Sequence, residues 1–234
     1  MVNPTEHHFS QYSRQTLYWL PPDTQELYNL NLKNHKDQLE KYNWIDQPIT
    51  YSFNSHGFRS EEFTNDPTVL FLGCSLTMGI GLPVENTWCH HVANQLNLHN
   101  ANLGLGGSSN DTAFRLALHW LDKINPKIVI LYSPSTTRFE LLGAHQYYDY
   151  LPGHTAMPAQ EYYKLWSLHS ANGELSQIKN QLAIQQLCTS LNIKFLSFDV
   201  EKYSQSNLVD LARDLMHPGL ESNKAIADVA LSLL

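Results

Sequence analysis

The sequence predicts an α/β fold around a mostly parallel sheet, and three observations carry that expectation. Thr68–Leu72 and Lys127–Leu131 are nearly unbroken runs of apolar and β-branched residues, the pattern of strands covered on both faces. The segments between and around them carry large apolar residues at helical spacing: Trp88, Val92 and Leu96 in one, Phe114, Leu118 and Leu121 in another. Strand and helix alternate along the chain, which calls for right-handed crossovers and parallel neighbours.

The elements follow in order. Residues 1–66 are polar and aromatic, punctuated by Pro4, Pro21, Pro22 and Pro48, with one modest helical candidate from about Asp23 to Tyr42. Tyr12, Tyr18, Trp19 and Trp44 argue for an accessory segment anchored on the main domain, residues 67–234, because disordered tails are poor in aromatics. Asn54–Ser60 is a turn-rich approach to the first core strand; His56 and Arg59 there read as residues that fix this approach, with a site-facing role as the alternative. Thr68–Leu72 is the first core strand and leads into a tight turn at Gly73-Cys74-Ser75. A helix is expected from about Asn86 to Leu96, capped by Asn86 or Thr87. A second short strand ends at Asn102, and a helix follows Ser108-Ser-Asn-Asp111 to about Ile124, stopped by Pro126. After the third strand, Tyr132–Trp166 breaks into Ser, Thr, Pro, Gly and tyrosines, expected as an insertion over the carboxyl edge of the sheet. A long helix from Gly173 to about Leu191, a fourth strand Ile193–Phe198 and an amphipathic helix of about Glu221–Leu233 complete the chain.

The totals narrow the function. Fifteen Lys and Arg against twenty-two Asp and Glu give a net charge of −7, with the basic residues scattered. That leaves no footprint for nucleic acid or for an acidic membrane surface. Cys74, Cys89 and Cys188 are too few for a disulfide framework and form no CxxC pair, which fits a reducing compartment. With no apolar leader and no run of about 20 apolar residues, the expected location is cytoplasmic. The doublets His7-His8 and His90-His91 make no metal site, since adjacent side chains point apart. Gly104-Leu-Gly-Gly107 lacks the full spacing of a dinucleotide loop, so neither metal nor cofactor is expected.

What remains is a constellation. Ser75 stands at the carboxyl end of a buried strand, where ligands bind in open α/β sheets. A serine hydroxyl needs a base in hydrogen-bond reach and a third group to orient that base. Asp214-Leu-Met-His217 supplies both within one turn of chain: a carboxylate for Nδ1, leaving Nε2 for the serine. The N–H groups of Ser75 and Gly107 are candidate donors to an oxyanion. Cys74 as a nucleophile, and Ser75 as a mere helix cap, are the competing readings. Glu85, Asp111, Arg138 and Glu140 are expected in loops bordering the crevice, Arg138 with Glu140 either bracing the loop or binding substrate.

Gly73-Cys-Ser75-Leu-Thr-Met-Gly79, Asn102-Leu-Gly-Leu-Gly-Gly107-Ser and Asp214-Leu-Met-His217-Pro resemble, in that order, the first, second and fifth blocks of the SGNH (GDSL-type) hydrolase superfamily. The resemblance implies a flavodoxin-like three-layer α/β/α sandwich, with Ser75 as nucleophile, Asp214 and His217 completing a triad, and Gly107 serving the oxyanion. It implies a serine esterase acting on a small-molecule or carbohydrate ester, and the polar, aromatic loops favour a small acyl group such as O-acetyl. An acyltransferase on the same triad and a glycan-binding module with a decayed site are the alternatives. Two positions depart from the pattern. Cys74 replaces the aspartate of the first block, and the third block's Gly-x-Asn-Asp is absent from Tyr132-Ser-Pro-Ser-Thr-Thr-Arg138-Phe-Glu140. Alignment on the strand puts Thr136 or Thr137 near the missing asparagine, with Thr136 or Arg138 as its replacement.

Overall fold

A computed structural model of the chain describes residues 7–142, 147–150, 160–200 and 208–234. Among the described residues the central sheet has four parallel strands, β3 (Thr68–Gly73), β4 (His99–Asn102), β5 (Ile128–Ser133) and β8 (Lys194–Asp199), in the order β4-β3-β5-β8. Two short antiparallel pairs lie outside it: β1 (Thr16–Leu17) with β2 (Tyr51–Ser52), and β6 (Phe139–Leu142) with β7 (Tyr147–Tyr150).

Alternation along the core strands sorts the helices into two layers, because successive side chains leave a strand on opposite faces. Leu70 and Leu72 of β3 and Val129 and Leu131 of β5 bury into one cluster with α5 (Asn110–Ile124) and α7 (Ala171–Ser190). Val69, Phe71, Ile130 and Tyr132 bury into another with α4 (Trp88–Leu96) and the C-terminal helix Leu220–Ser232. The result is a three-layer α/β/α sandwich. Of the two cap candidates for α4, Thr87 takes the role, its Oγ1 accepting from the His90 N–H, while Ser109 and Thr112 form a reciprocal capping box on α5 that the sequence did not announce.

The first sixty-odd residues share the sheet's own core. Phe9, Leu20, Leu39, Trp44, Ile49, Tyr51, Phe53 and Phe58 belong to the same buried cluster as Leu70 and Leu72. The single helix expected here is two, α1 (Gln25–Asn34) and α2 (Lys36–Lys41), broken at His35 with φ −140°. Asn29, Asn31 and Asn34 are weak helix formers, and the break lets Leu39 bury fully while Asn31 reaches the Asp214 carbonyl. His56 packs edge-on against Trp120 and stacks on Phe63, as a residue fixing the approach to β3 would.

Of the expected insertion over the sheet edge, the structure describes the β6–β7 pair and α6 (Gln160–Ser167). Residues 143–146 and 151–159, and the side chains of Tyr147, Tyr148, Tyr150, Tyr162 and Tyr163, lie outside the described residues. Among the described residues no helix is long and apolar enough to cross a membrane.

Candidate active site

Ser75 is presented by a sharp turn. β3 ends at Gly73 with φ +154°, where a Cβ would come within 2.1 Å of Thr77 Oγ1 and 2.8 Å of the Tyr132 carbonyl oxygen. Only glycine fits that conformation without strain. Cys74 then caps the one-turn helix α3 (Ser75–Met78), leaving the serine at the head of α3 and at the carboxyl end of the central pair β3–β5. In a doubly wound sheet this is the switch point, where the chain leaves neighbouring strands in opposite directions.

The loop after β4 is tied to that turn. The Leu105 N–H and Ser108 Oγ both donate to the Gly73 carbonyl, at 3.1 and 2.9 Å. Asn102 Nδ2 donates to the Thr77 carbonyl at 2.7 Å, and its Oδ1 accepts from the Gly104 N–H at 2.8 Å. Gly107, with φ +82°, is carried in this loop next to Ser108. Arg138 reaches it from the other side, its Nη1 donating to the Ser108 carbonyl at 3.4 Å.

His217 and Asp214 arrive on the loop that precedes the C-terminal helix. A bridge between Leu211 and Pro218 and an Ala212 N–H bond to the His217 carbonyl (2.8 Å) close this loop on itself. Leu215 takes a left-handed conformation, φ +56°, to make the bend. Asp214 Oδ1 accepts the backbone N–H groups of Met216 and His217, each at 3.0 Å. Its Oδ2 lies 2.5 Å from His217 Nδ1, and His217 Nε2 lies 2.9 Å from Ser75 Oγ. An ionised carboxylate only accepts, so Nδ1 carries the proton and Nε2 is free to accept from the serine. Burial works against the charge on Asp214, but the hydrogen bond and charge of His217, with the two backbone N–H groups, more than offset it. The carboxyl is held below its ordinary pKa.

Asn223 ties the histidine loop to α4, its neighbour in the same helix layer, accepting from the Trp88 N–H at 2.9 Å and donating to the carbonyls of Pro218 and Gly219. Nothing in the sequence announces this role of Asn223.

The other expected site residues sort differently. Thr136 lies against the start of α7, where a Cβ on Gly173 would meet its carbonyl oxygen at 2.0 Å. The expected pairing of Arg138 with Glu140 gives way to another: Glu140 is gripped two-fold by Arg115, at 2.8 and 2.5 Å. Arg115 projects from α5 and is itself buried, so a fixed fork within reach captures the carboxylate. Asp111 is in the first turn of α5 rather than in a loop, and its Oδ1 accepts from Ser176 and Asn180 of α7. Cys74 is buried, 1% exposed. A cavity of about 310 Å³ opens behind the acid loop, lined by Tyr18, Trp19, Tyr28, Gln47 and Arg213 among others; Ser75, Asp214 and His217 are not part of its lining.

No family model matches the chain, and no curated protein matches it. Among solved structures it is similar to the psychrotrophic esterase EstA from Pseudoalteromonas sp., at 18% identity over 72% of this chain and 96% of that one, with a TM-score of 0.38. It is similar to a member of the lipolytic protein G-D-S-L family from Veillonella parvula, at 14% identity over 71% and 97%, TM-score 0.38. A carbohydrate acetylesterase from Sinorhizobium meliloti shows 16% identity over 72% and 100%, TM-score 0.36. Likenesses at this level carry no functional argument, and the chemistry has to be sought in the site's own geometry.

Proposed function

We propose that this chain is a serine esterase of SGNH type. The observation that supports it above all others is the continuous hydrogen-bonded line from Ser75 Oγ through the His217 ring to Asp214, at 2.9 and 2.5 Å. In this reading Ser75 Oγ attacks an ester carbonyl while His217 Nε2 takes its proton. The imidazolium then returns that proton to the leaving alcohol, and Asp214 holds the ring and its charge throughout. Water, activated by the same histidine, releases the acyl group from Ser75.

The tetrahedral oxyanion would take hydrogen bonds from the N–H of Ser75, which stands at the head of α3 where a helix has no internal partner for it, and from that of Gly107. For the third donor we assign Thr136 or Arg138, of which Arg138 is the one bonded to the Gly107–Ser108 loop. A small acyl group is the preferred substrate class, on a sugar or another small alcohol. It is supported by the polar and aromatic character of the segment 132–166, from the end of β5 onward.

The test is intact-mass labelling by a serine-directed organophosphonate, with hydrolysis of p-nitrophenyl acetate measured alongside. One adduct on the wild type, absent from Ser75→Ala and His217→Ala, is the expected result. An unlabelled wild type, or one in which Ser75→Ala hydrolyses the ester as fast, would overturn the assignment.

A further inference from the structure

The nucleophile and its base come from loops 142 residues apart in the chain, and both loops are held by a third stretch of sequence. Gly81, just beyond α3, sits where they meet. A Cβ there would lie 2.8 Å from Ala212 Cβ and 3.3 Å from Asp214 Oδ1. Its carbonyl accepts from the Arg213 N–H at 3.1 Å, and its N–H donates to Tyr51 Oη at 2.9 Å.

Tyr51 in turn donates to Asp23 Oδ2 at 2.5 Å. Asp23 is paired through both oxygens with Arg213, Nε to Oδ1 at 3.1 Å and Nη2 to Oδ2 at 2.6 Å. Tyr51, Asp23 and Arg213 are 0%, 1% and 3% exposed. Arg59, stacked 4.3 Å from the Tyr51 ring, donates to the carbonyls of Met78, Gly79 and Leu82 on the serine side. The network therefore grips the residues following Ser75 with one hand and the residue preceding Asp214 with the other.

We propose that Tyr51, seated on the Asp23–Arg213 pair, is a positioning residue for the triad: it fixes the Gly79–Leu82 loop against the Asp214 loop and so sets the Ser75–His217 distance. This rests on the esterase reading. Its physical basis is that a proton transfer between two groups tolerates little displacement, an error of about 1 Å costing on the order of 10²-fold in rate. A hydroxyl that both donates to one loop's anchor and accepts from the other loop couples their positions.

Tyr51→Phe is the deciding variant, since it keeps the ring under Arg59 and removes only the hydroxyl. Turnover per phosphonate-titrated site should fall about ten- to a hundredfold with KM nearly unchanged. Phosphonate labelling should slow in parallel, and the downfield His217 Nδ1–H proton resonance should shift. Tyr28→Phe is the control: the Tyr28 hydroxyl also makes two hydrogen bonds, to the Trp44 carbonyl and from the Asp46 N–H, but neither involves a loop of the triad, and the variant keeps the ring beside Arg213. A merely structural role would make the two variants alike. Should Tyr51→Phe fail to fold, Arg59→Lys, which keeps the buried cation and loses the fork, is expected to reproduce the loss of turnover. A wild type that labels normally beside variants of unchanged turnover and labelling rate overturns this role while leaving the esterase reading intact. A wild type that does not label removes both.

Discussion

Asp214→Asn gives the sharpest test of how the site holds its protons. Asp214 spends Oδ1 on two backbone N–H groups at 3.0 Å each and Oδ2 on His217 Nδ1 at 2.5 Å. An asparagine of the same shape must choose. Turning its NH₂ towards the two N–H groups sets donor against donor and forfeits two bonds, a cost of about 2–3 kcal/mol. The amide therefore keeps its oxygen on the backbone and presents Nδ2 to His217. Nδ2 only donates, so the imidazole proton moves to Nε2, which then faces Ser75 Oγ as a donor and cannot take its proton. A wrong tautomer in an intact site is worth on the order of 10⁴ in kcat, or about 5.5 kcal/mol of barrier. The assay is steady-state hydrolysis of p-nitrophenyl acetate with the folded fraction checked by circular dichroism, and KM should hardly move. A loss of less than about tenfold would refute the claimed hydrogen-bond logic. The same substitution has a stability signature. The Asp214 carboxyl is held below its ordinary value, so its ionised form contributes stability that is present above about pH 4, the unfolded pKa, and lost as pH falls through the folded one. Acid unfolding below about pH 4 should be shallower in the variant.

Two further outcomes follow from buried positions. Gly73→Ala forces a side chain into φ +154° and against Thr77 Oγ1; it should cost about 2–4 kcal/mol in urea denaturation and abolish phosphonate labelling, and a fully labelled, equally stable variant would contradict the turn as described. His7 packs against Phe58 with the rings tilted, and burial, with the neighbouring His8, pushes its pKa down to about 3. The unfolded chain then binds more protons between pH 3 and 6.5, so stability rises with pH through that window, and about 2 kcal/mol should be missing at pH 5 relative to pH 7.5. His7→Phe should remove that difference in paired urea titrations; its persistence would assign the pH dependence to other groups.

What was legible in the sequence was whatever depended on side-chain type at short spacing. Apolar runs marked the core strands, and Asp214 with His217 sits three residues apart, so one local bend assembles the pair wherever it folds. Ser75 was legible because a glycine turn after a buried strand leaves few places for a hydroxyl to go. The network around Arg59 and Tyr51 was not legible, because its partners are largely backbone. Arg59 bonds to four carbonyls, and Tyr51 to one N–H and a carboxylate 28 residues away. Backbone groups have no letter in a sequence, so no spacing betrays them. Arg115 with Glu140 escaped for a related reason: once α5 and β6 pack, the buried fork of Arg115 captures a carboxylate that lies closer in sequence to Arg138. The α5 cap escaped because its third helical residue is Thr112 where the usual signature has Glu or Gln.

The contacts of the N-terminal segment with the acid loop also set a clock. Asp23 meets Arg213 across 190 residues of chain, Asn31 meets Asp214 across 183, and Trp44 meets Leu211 across 167. At about 5–20 residues per second, a ribosome needs roughly ten to forty seconds to make the later partner after the earlier one has emerged. Throughout that interval Asp23 lacks Arg213, Trp44 lacks the Leu211 carbonyl for its indole N–H, and Ser75 has been made before His217. The contacts between residues 23–44 and this loop are thus among the last to be completed, and in the proposed esterase reading Ser75 waits without its base until the loop bearing His217 closes over it.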